Sequence, residues 1–213
     1  MPSPKKISDI KPILTNVAKT SHYEVQFGGF HGSLMSYLAE RDISQRFITE
    51  NAGLLCSSAS LPGSSLATSD INGNRMGVSE KMAHTRIFSD ISLEFYVDSD
   101  YRMLNFLEHW MEFASNGSGK ELSDKSYYYR MRYPIEYKCE STKIYKFDNG
   151  FNRQIEYTFY GMFPINLSST SVSYQSSDVL RVSASFNYER YVPGDTSSRS
   201  KYLGISGNKG IRP

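Results

Sequence analysis

Residues 86–114 read RIFSDISLEFYVDSDYRMLNFLEHWMEFA and contain the two clearest elements of the chain. Up to Val97, apolar and polar residues alternate, which is the period-2 pattern of a strand with one buried and one exposed face. We therefore predict one strand from about Met82 to Val97. The apolar side chains of this strand share one parity: Ile87, Ile91, Leu93, Phe95 and Val97.

A helix is predicted directly after this strand, over residues 99–115. Asp98 and Asp100 offer carboxylates to the free N–H groups at the positive end of a helix. The apolar residues that follow recur three and four positions apart: Met103, Phe106, Leu107, Trp110, Met111 and Ala114. Because such a stripe is wide enough to lie on a sheet, we expect this amphipathic helix to flank a β structure.

Four further runs carry the strand pattern. Residues 133–146 and 153–163 alternate on either side of Asp148-Asn149-Gly150, which predicts an antiparallel hairpin. Residues 23–27 and 179–191 alternate in the same way. The sequence therefore predicts a mainly β (α+β) fold, an antiparallel β-sandwich or small barrel with one amphipathic helix on its flank.

The domain organisation follows from where these patterns begin and end. Residues 21–192 form the predicted β domain, between a flexible N-terminal arm (1–20) and a flexible C-terminal tail (193–213). Within the domain, residues 33–50 carry a short helical pattern. Residues 51–79 are rich in Gly and Ser, and they include Asn72-Gly73, which is typical of a hairpin turn or loop.

The composition excludes several function classes. The 213 residues hold 24 Lys and Arg against 22 Asp and Glu, so the net charge of +2 does not fit a nucleic-acid binder driven by bulk charge. No run approaches the roughly 20 apolar residues of a membrane span, and the polar N-terminus does not fit a secretory signal. We expect a protein that is made in the cytosol and stays soluble or assembles there. The 16 Tyr and 12 Phe favour strands and protein interfaces.

We find no catalytic, cofactor-binding or metal-binding motif. Cys56 and Cys139 are far apart, with no Cys or His at the spacing of metal ligands. The four histidines form no paired motif, and His109 is interpreted as a solvated or interface residue. Residues 116–120 are interpreted as the loop that ends the helix. The prediction is a protein that is not an enzyme and that needs no cofactor.

One run mixes aromatic and basic side chains and is the candidate subunit interface. Tyr and Arg are enriched in protein interfaces, which favours an edge strand that packs on a neighbouring subunit. Stacking of nucleic-acid bases on a basic surface is the alternative. The residues are Tyr127, Tyr128, Tyr129, Arg130, Arg132 and Tyr133.

The order of four landmarks over roughly residues 21–191 resembles the tail tube proteins of contractile-tailed bacteriophages. The first landmark is a short strand that leads to a Leu-Pro-Gly turn, and the second is a strand with the pattern Arg-x-Phe-x-Asp that runs into a helix containing a Trp. The third is a strand that ends in glycine before proline and isoleucine. The fourth is a last strand that ends in an aromatic–acidic pair. Here these are Tyr23–Phe27 with Leu61–Gly63, Arg86–Asp90 with Trp110, Gly161 with Pro164 and Ile165, and Tyr188 with Glu189.

The resemblance implies a tube-fold subunit of the virion tail that forms stacked hexameric rings. Such rings make the inner tube through which DNA passes without sequence-specific binding. The implied partners are further copies of the chain and the sheath, baseplate and tape-measure proteins; no membrane is implied. Residues 28–55 resemble an insertion relative to the shortest tube proteins. Together with the terminal arms, this insertion favours an alternative, a baseplate hub or tube-initiator protein of the same fold. A monomeric nucleic-acid-binding β domain is the second alternative.

Overall fold

The structure is a computed structural model that describes residues 7, 11, 17–73, 77–115, 130–148, 153–168, 170, 172–174 and 178–194. Ten strands are present in this part of the chain. They are β1 (Tyr23–Gln26), β2 (Cys56–Ala59), β3 (Ser64–Ile71), β4 (Glu80–Phe88), β5 (Ile91–Tyr96), β6 (Thr142–Phe147), β7 (Arg153–Tyr160), β8 (Phe163–Leu167), β9 (Arg181–Asn187) and β10 (Arg190–Gly194).

The strands form two antiparallel four-stranded sheets and one separate hairpin. The first sheet has the order β1-β6-β7-β10, the second has the order β2-β5-β9-β8, and β3 pairs only with β4. The chain passes twice between the sheets at one corner, from β7 through Gly161 into β8 and from β9 through Glu189 into β10. The Glu189 N–H donates to the carbonyl oxygen of Tyr160 (3.0 Å), which joins the two crossings. Strands that change sheets in this way close a sandwich towards a barrel.

In the described part of residues 17–194, three helices and one helical turn accompany the sheets. They are α1 (Gly32–Ala39), a π-helical turn (Phe47–Asn51), α2 (Arg102–Ser115) and α3 (Pro134–Tyr137). Helix α2 packs against α1 and against β8. Its start is fixed by Asp98, whose carboxylate accepts the N–H of Met103 (3.4 Å) and the Nε–H of Arg102 (3.1 Å). A carboxylate at this end stabilises a helix.

Aromatic rings fill the space between the sheets and α2. Phe27, which follows β1, is the centre of this cluster and is buried. Its ring centroid lies 5.7 Å from that of Phe106 on α2 and 6.2 Å from that of Phe186 on β9. Phe95 on β5 lies 6.0 Å away and Trp110 on α2 lies 6.5 Å away. One side chain thus connects the second sheet to the helix that covers it.

The predicted fold class is confirmed, as are its main elements. The amphipathic helix lies at 102–115, within the predicted range of 99–115. Strands β6 and β7 form the predicted antiparallel hairpin, with Thr142 opposite Phe159 and Ile144 opposite Tyr157. The helical pattern of residues 33–50 corresponds to α1 and the π-helical turn, and Leu34 and Leu38 are fully buried.

Three strand predictions are wrong in part. The predicted strand 179–191 is two strands, β9 and β10, which lie in different sheets and are separated at Tyr188 and Glu189. The run from Met82 to Val97 is not one strand, because it breaks at Ser89 and Asp90. There the Ser89 N–H donates to the carbonyl oxygen of Gly63, and the Ser89 carbonyl oxygen accepts the hydroxyl of Tyr188 (2.8 Å), so the chain leaves the hairpin and enters the second sheet.

The predicted strand 133–146 begins instead with helix α3, which has Pro134 at its first position. Proline is well suited to the first helical position because its N–H is not needed there. The strand itself starts only at Thr142.

The domain boundaries stay a prediction. Most of the proposed arm 1–20 and the tail from residue 195 onward lie outside the described residues. Residues 28–55, predicted to be an insertion, supply buried side chains to the core, among them Ile43, Phe47 and Ile48.

Candidate subunit-contact surface

The hairpin of β3 and β4 extends from the subunit and pairs with nothing else among the described strands. Almost every residue of the two strands is exposed. Four large apolar side chains remain about half exposed or more here: Leu66 (62%), Ile71 (48%), Met82 (52%) and Ile87 (51%). Because an isolated hairpin is only marginally stable in water, this one needs a further contact to hold its shape.

Ile71, Met82 and Ile87 lie on one face of the hairpin, and Leu66 lies on the other. Ile87 is opposite Ser65 and Met82 is opposite Ser69 in the register of the two strands. Ser65, Ser69 and Ile71 share one parity along β3, and residues of one parity point to one side of a strand. We call this face, with Ile71, Met82 and Ile87, the apolar stripe.

The base of the hairpin is fixed to the first sheet through Arg86. Its Nη2 donates to the hydroxyl oxygen of Tyr191 on β10 and to that of Ser64 on β3, both at 3.1 Å. The guanidinium carbon lies 5.1 Å from the ring centroid of Phe88 and 5.3 Å from that of Tyr191, within the range of cation–π attraction. Arg86 therefore sets the direction in which the hairpin leaves the body.

The second sheet continues directly into the hairpin. Between β2 and β3 the Ser60 N–H donates to the carbonyl oxygen of Ser92 (3.0 Å), and the Ser89 N–H donates to that of Gly63 (3.2 Å). Strands β2 with β3 and β5 with β4 thus form one long two-stranded ribbon. Half of this ribbon lies in the core of the subunit and half is exposed.

The interface predicted from the sequence is a different one, and the structure describes only part of it. Tyr127, Tyr128 and Tyr129 lie outside the described residues. Arg130 is exposed, as is Tyr133 with 74% of its surface accessible.

Arg132 is engaged within the subunit. Its guanidinium carbon lies 4.2 Å from the ring centroid of Phe113, and its Nη1 donates to Glu136 (3.3 Å).

Residues 130–133 do not form the expected edge strand. The N–H groups of Arg130 and Arg132 donate to the carbonyl oxygens of Ser115 and Ala114, at the carboxyl end of α2. This short segment therefore satisfies carbonyl groups that a helix end leaves without partners. Whether the Tyr and Arg side chains of residues 127–133 contact another subunit stays a prediction.

Two titratable side chains of α2, His109 and Glu112, contact each other. His109 Nδ1 lies 2.9 Å from Glu112, both on α2. Burial and the nearby negative charge of Glu112 raise the pKa of the Tyr37 hydroxyl to about 12. Among the described residues, no group of three or more His, Cys, Asp or Glu could hold a metal ion.

No described helix is both long enough and apolar enough to cross a lipid bilayer.

The family model for phage tail tube protein matches residues 18–193. The chain belongs to the phage tail tube protein family. The resemblance drawn from the sequence is thereby confirmed, and membership of this family gives the chain a structural role in a tail tube, as a component of the virion tail. Among proteins with curated descriptions, none matches this sequence.

Solved structures share the tail tube fold at low sequence identity. A chain from the sheath–tube complex of an extracellular contractile injection system (PVC, extended state) is 14% identical, with a TM-score of 0.55 over 91% of this chain and 100% of that chain. A chain from the tube-terminating cap of the anti-feeding prophage is 14% identical, with a TM-score of 0.54 over 84% of this chain and 92% of that chain. A chain from the PVC sheath/tube terminator is 14% identical, with a TM-score of 0.53 over 84% of this chain and 96% of that chain.

The sequence did not identify the apolar stripe. Alternation shows that one side of a strand is apolar but not whether a second sheet covers it. The signal that pointed to the hairpin was Asn72-Gly73, which lies just after β3.

Proposed function

We propose that this chain forms hexameric rings that stack into the inner tube of a phage tail, through which DNA passes during ejection. In this proposal the chain assembles with copies of itself and with sheath, baseplate and tape-measure proteins, after synthesis in the host cytoplasm. It performs no catalysis, and it binds DNA without sequence preference.

The exposed hairpin is the observation that carries this proposal. The ribbon exposes Ile71, Met82 and Ile87 to water in the monomer. Exposed apolar surface in contiguous patches usually marks an interaction site. A second copy of the chain, placed above or below, would bury the apolar stripe. Such a contact is heterologous, since the hairpin of one subunit meets a different surface of the next, and heterologous contacts that do not close build filaments.

Free sheet edges support association within a ring. Among the described strands, β1 and β10 form the two edges of the first sheet, and β2 and β8 form those of the second. Each edge presents backbone groups that can pair with a neighbouring strand. Closing a ring of subunits would cover these edges.

A subunit at the end of the tube is the second candidate. Chains from terminator structures share the fold about as closely as the chain from a sheath–tube complex, with TM-scores of 0.53 and 0.54 against 0.55. The baseplate hub or tube-initiator alternative belongs to this class. An end subunit would form single rings, whereas a main tube subunit would polymerise.

Electron microscopy of the purified protein, combined with sedimentation over a range of concentrations, tests the proposal. Stacked rings with six-fold symmetry are expected for the main tube. Single rings that lengthen only when a baseplate partner is added would support the initiator instead. A monomer at all concentrations, with or without that partner, would overturn both, and binding of single-stranded DNA by that monomer at physiological salt would favour a nucleic-acid-binding domain.

A further inference from the structure

Three side chains at one corner of the body hold the base of the hairpin by hydrogen bonds. The corner is the stretch 187–191, where the chain passes from the second sheet to the first, and the base is the stretch 86–90, where it leaves the hairpin for the second sheet. We call these three bonds the corner brace. They join Asn187 Nδ2 to the carboxylate of Asp90 (2.7 Å), the Tyr188 hydroxyl to the Ser89 carbonyl oxygen (2.8 Å), and Arg86 Nη2 to the Tyr191 hydroxyl oxygen (3.1 Å).

The corner is itself fixed in the core of the subunit. Tyr188 is buried, and its ring centroid lies 4.9 Å from that of Phe159 on β7. The carboxylate of Glu189 pairs with the Nζ of Lys138 (2.7 Å). The brace therefore positions the base of the hairpin relative to both sheets, and not only relative to the second sheet, from which the ribbon continues.

The backbone junction alone fixes the direction of the hairpin less well. Residues 60–63 join β2 to β3, and Pro62 among them has no N–H to donate to the ladder. Beyond the junction, β3 and β4 pair only with each other among the described strands. Because two-stranded ribbons twist more than wider sheets, contacts made by side chains at the base decide where this ribbon points.

The brace supports one face of the hairpin and leaves the other face free. Arg86 is opposite Leu66 in the register of the two strands, and Phe88 follows on the same face. The ring of Phe88 packs on Tyr191, with 5.4 Å between the centroids. The apolar stripe lies on the opposite face, so the contacts that orient the hairpin do not compete with a subunit that binds the stripe.

A preset direction strengthens association. A partner binds only those hairpins that already point towards it, so the apparent dissociation constant equals the intrinsic one divided by the fraction of subunits in that conformation. A hairpin that had to be oriented during binding would also lose conformational freedom at that step, which costs affinity.

From these contacts we propose that the corner brace sets the direction of the hairpin in the free subunit, and that Arg86 and Asn187 are positioning residues for the stacking contact. The first part concerns the subunit alone, whereas the second rests on the proposed tube function. The partner for which the hairpin is oriented is a second copy of this chain, which binds the apolar stripe.

Single-molecule energy transfer between two dyes measures the direction of the hairpin. The background variant is Cys56→Ser, because Cys56 is partly exposed and Cys139 is fully buried. One dye is attached through Thr68→Cys on the hairpin and the other through Glu108→Cys on α2, both at exposed positions. The protein is observed at sub-nanomolar concentration, so that only free subunits are seen.

The brace variant combines Arg86→Gln with Asn187→Ala. The matched control is Arg41→Gln, because the Arg41 guanidinium carbon lies 3.5 Å from the ring centroid of Tyr37, and its Nη1 donates to the Tyr37 carbonyl oxygen (3.2 Å). This control loses the same kinds of contact at a site just after α1, outside the hairpin and the corner.

For the parent and for Arg41→Gln we expect one narrow distribution of transfer efficiency, and for the brace variant a broader one. A broad distribution in the parent would overturn the proposal, because the hairpin would then have no preset direction. Identical distributions for the parent and the brace variant would overturn it as well, because the brace would then not hold the hairpin.

Assembly of the unlabelled proteins tests the positioning role. If about one tenth of the brace-variant hairpins point in the binding direction, the concentration needed for tubes, measured by sedimentation, should rise about tenfold. Arg41→Gln should assemble like the parent. A broader distribution of transfer efficiency without any rise in this concentration would overturn the role of Arg86 and Asn187 in stacking.

The single variants Arg86→Gln and Asn187→Ala decide both questions if the double variant does not fold. A failure of the proposed function is recognised separately, because the parent would then form no tubes at any concentration. The energy-transfer measurement on free subunits still tests the direction of the hairpin in that case.

Discussion

The indole Nε1 of Trp110 donates a hydrogen bond of 2.7 Å to the carbonyl oxygen of Tyr137. Trp110 is fully buried on α2, and Tyr137 is the last residue of α3. This contact fixes the segment that follows residue 129 against the core. It also explains why residues 134–137 are helical despite their strand-like alternation: the helical turn presents the carbonyl group to the indole.

Replacing Trp110 with Phe should lower the free energy of unfolding by about 2–4 kcal/mol. The estimate combines an unsatisfied buried carbonyl, at about 1–3 kcal/mol, with the space left by the smaller ring. Urea unfolding followed by circular dichroism measures the change, because the variant has no other Trp to report it. Glu108→Gln, at an exposed position of the same helix, should stay within about 0.5 kcal/mol of the parent. Equal stability of Trp110→Phe and the parent would show that the hydrogen bond contributes nothing.

Gly53→Ala should prevent normal folding. A Cβ atom at residue 53 would lie 1.7 Å from the carbonyl oxygen of Val25, a backbone atom that cannot move aside without disturbing β1. We expect a loss of more than about 2 kcal/mol, by the mechanism of core overpacking. Thermal unfolding of Gly32→Ala is the matched control, since a Cβ at residue 32 has no neighbour within 4 Å. Similar melting temperatures for the two variants would contradict the close approach of residue 53 to β1.

Met82→Glu should abolish tube formation and leave the subunit folded. The charge falls in the apolar stripe, whereas the side chain is about half exposed in the subunit, so unfolding should change by no more than about 0.5 kcal/mol. Sedimentation and electron microscopy measure assembly. Thr68→Glu places the same charge on the opposite face of the hairpin and should still assemble. If the Met82→Glu variant formed normal tubes, the apolar stripe would not be part of the stacking contact.

Alkaline pH should destabilise the fold through buried thiol and phenol groups. Burial raises the pKa of the Cys139 thiol from 9.0 to about 12, and burial likewise raises that of the Tyr188 hydroxyl from 10.0 to about 12. The folded state therefore holds these protons more tightly than the unfolded state does. The stabilisation is complete below pH 9 and is lost as the pH rises towards 12, by at most about 1.4 kcal/mol per pH unit for each group.

Urea unfolding at pH 8, 9 and 10 measures this decline. The variant Cys139→Ala removes one of the groups, so its stability should fall less steeply between pH 9 and 10 than that of the parent. Parallel curves for the two proteins would show that Cys139 is not a source of the pH dependence.

The elements that could be predicted from the sequence are those with one buried face, because burial of that face requires apolar residues at regular spacing. Helix α2 and strands β5 and β9 were recognised because their apolar residues meet a single core. Strand β4 was joined to β5 in error, because Ile87 has the same parity as Ile91 while only Ile91 is buried. Periodicity does not reveal which strand a given face meets, and that information comes only from the tertiary fold.

The candidate surface was less predictable than the fold. The run of residues 127–133 has the composition of an interface, but Arg132 packs on Phe113 within the subunit. Of the apolar stripe, Ile71 lies in the segment that is rich in Gly and Ser, whereas Met82 and Ile87 lie in the run predicted to be one strand with β5. Three separated apolar residues become one surface only after β3 and β4 pair.

The ribbon of β2, β3, β4 and β5 also determines how a tube of such subunits would bear tension. Because antiparallel hydrogen bonds lie perpendicular to the strands, a pull along the hairpin loads the β2–β5 and β5–β9 ladders in shear. All bonds of each ladder then resist together, whereas a pull across the strands would open them one at a time. A tube joined through this ribbon would therefore be stiff along its axis.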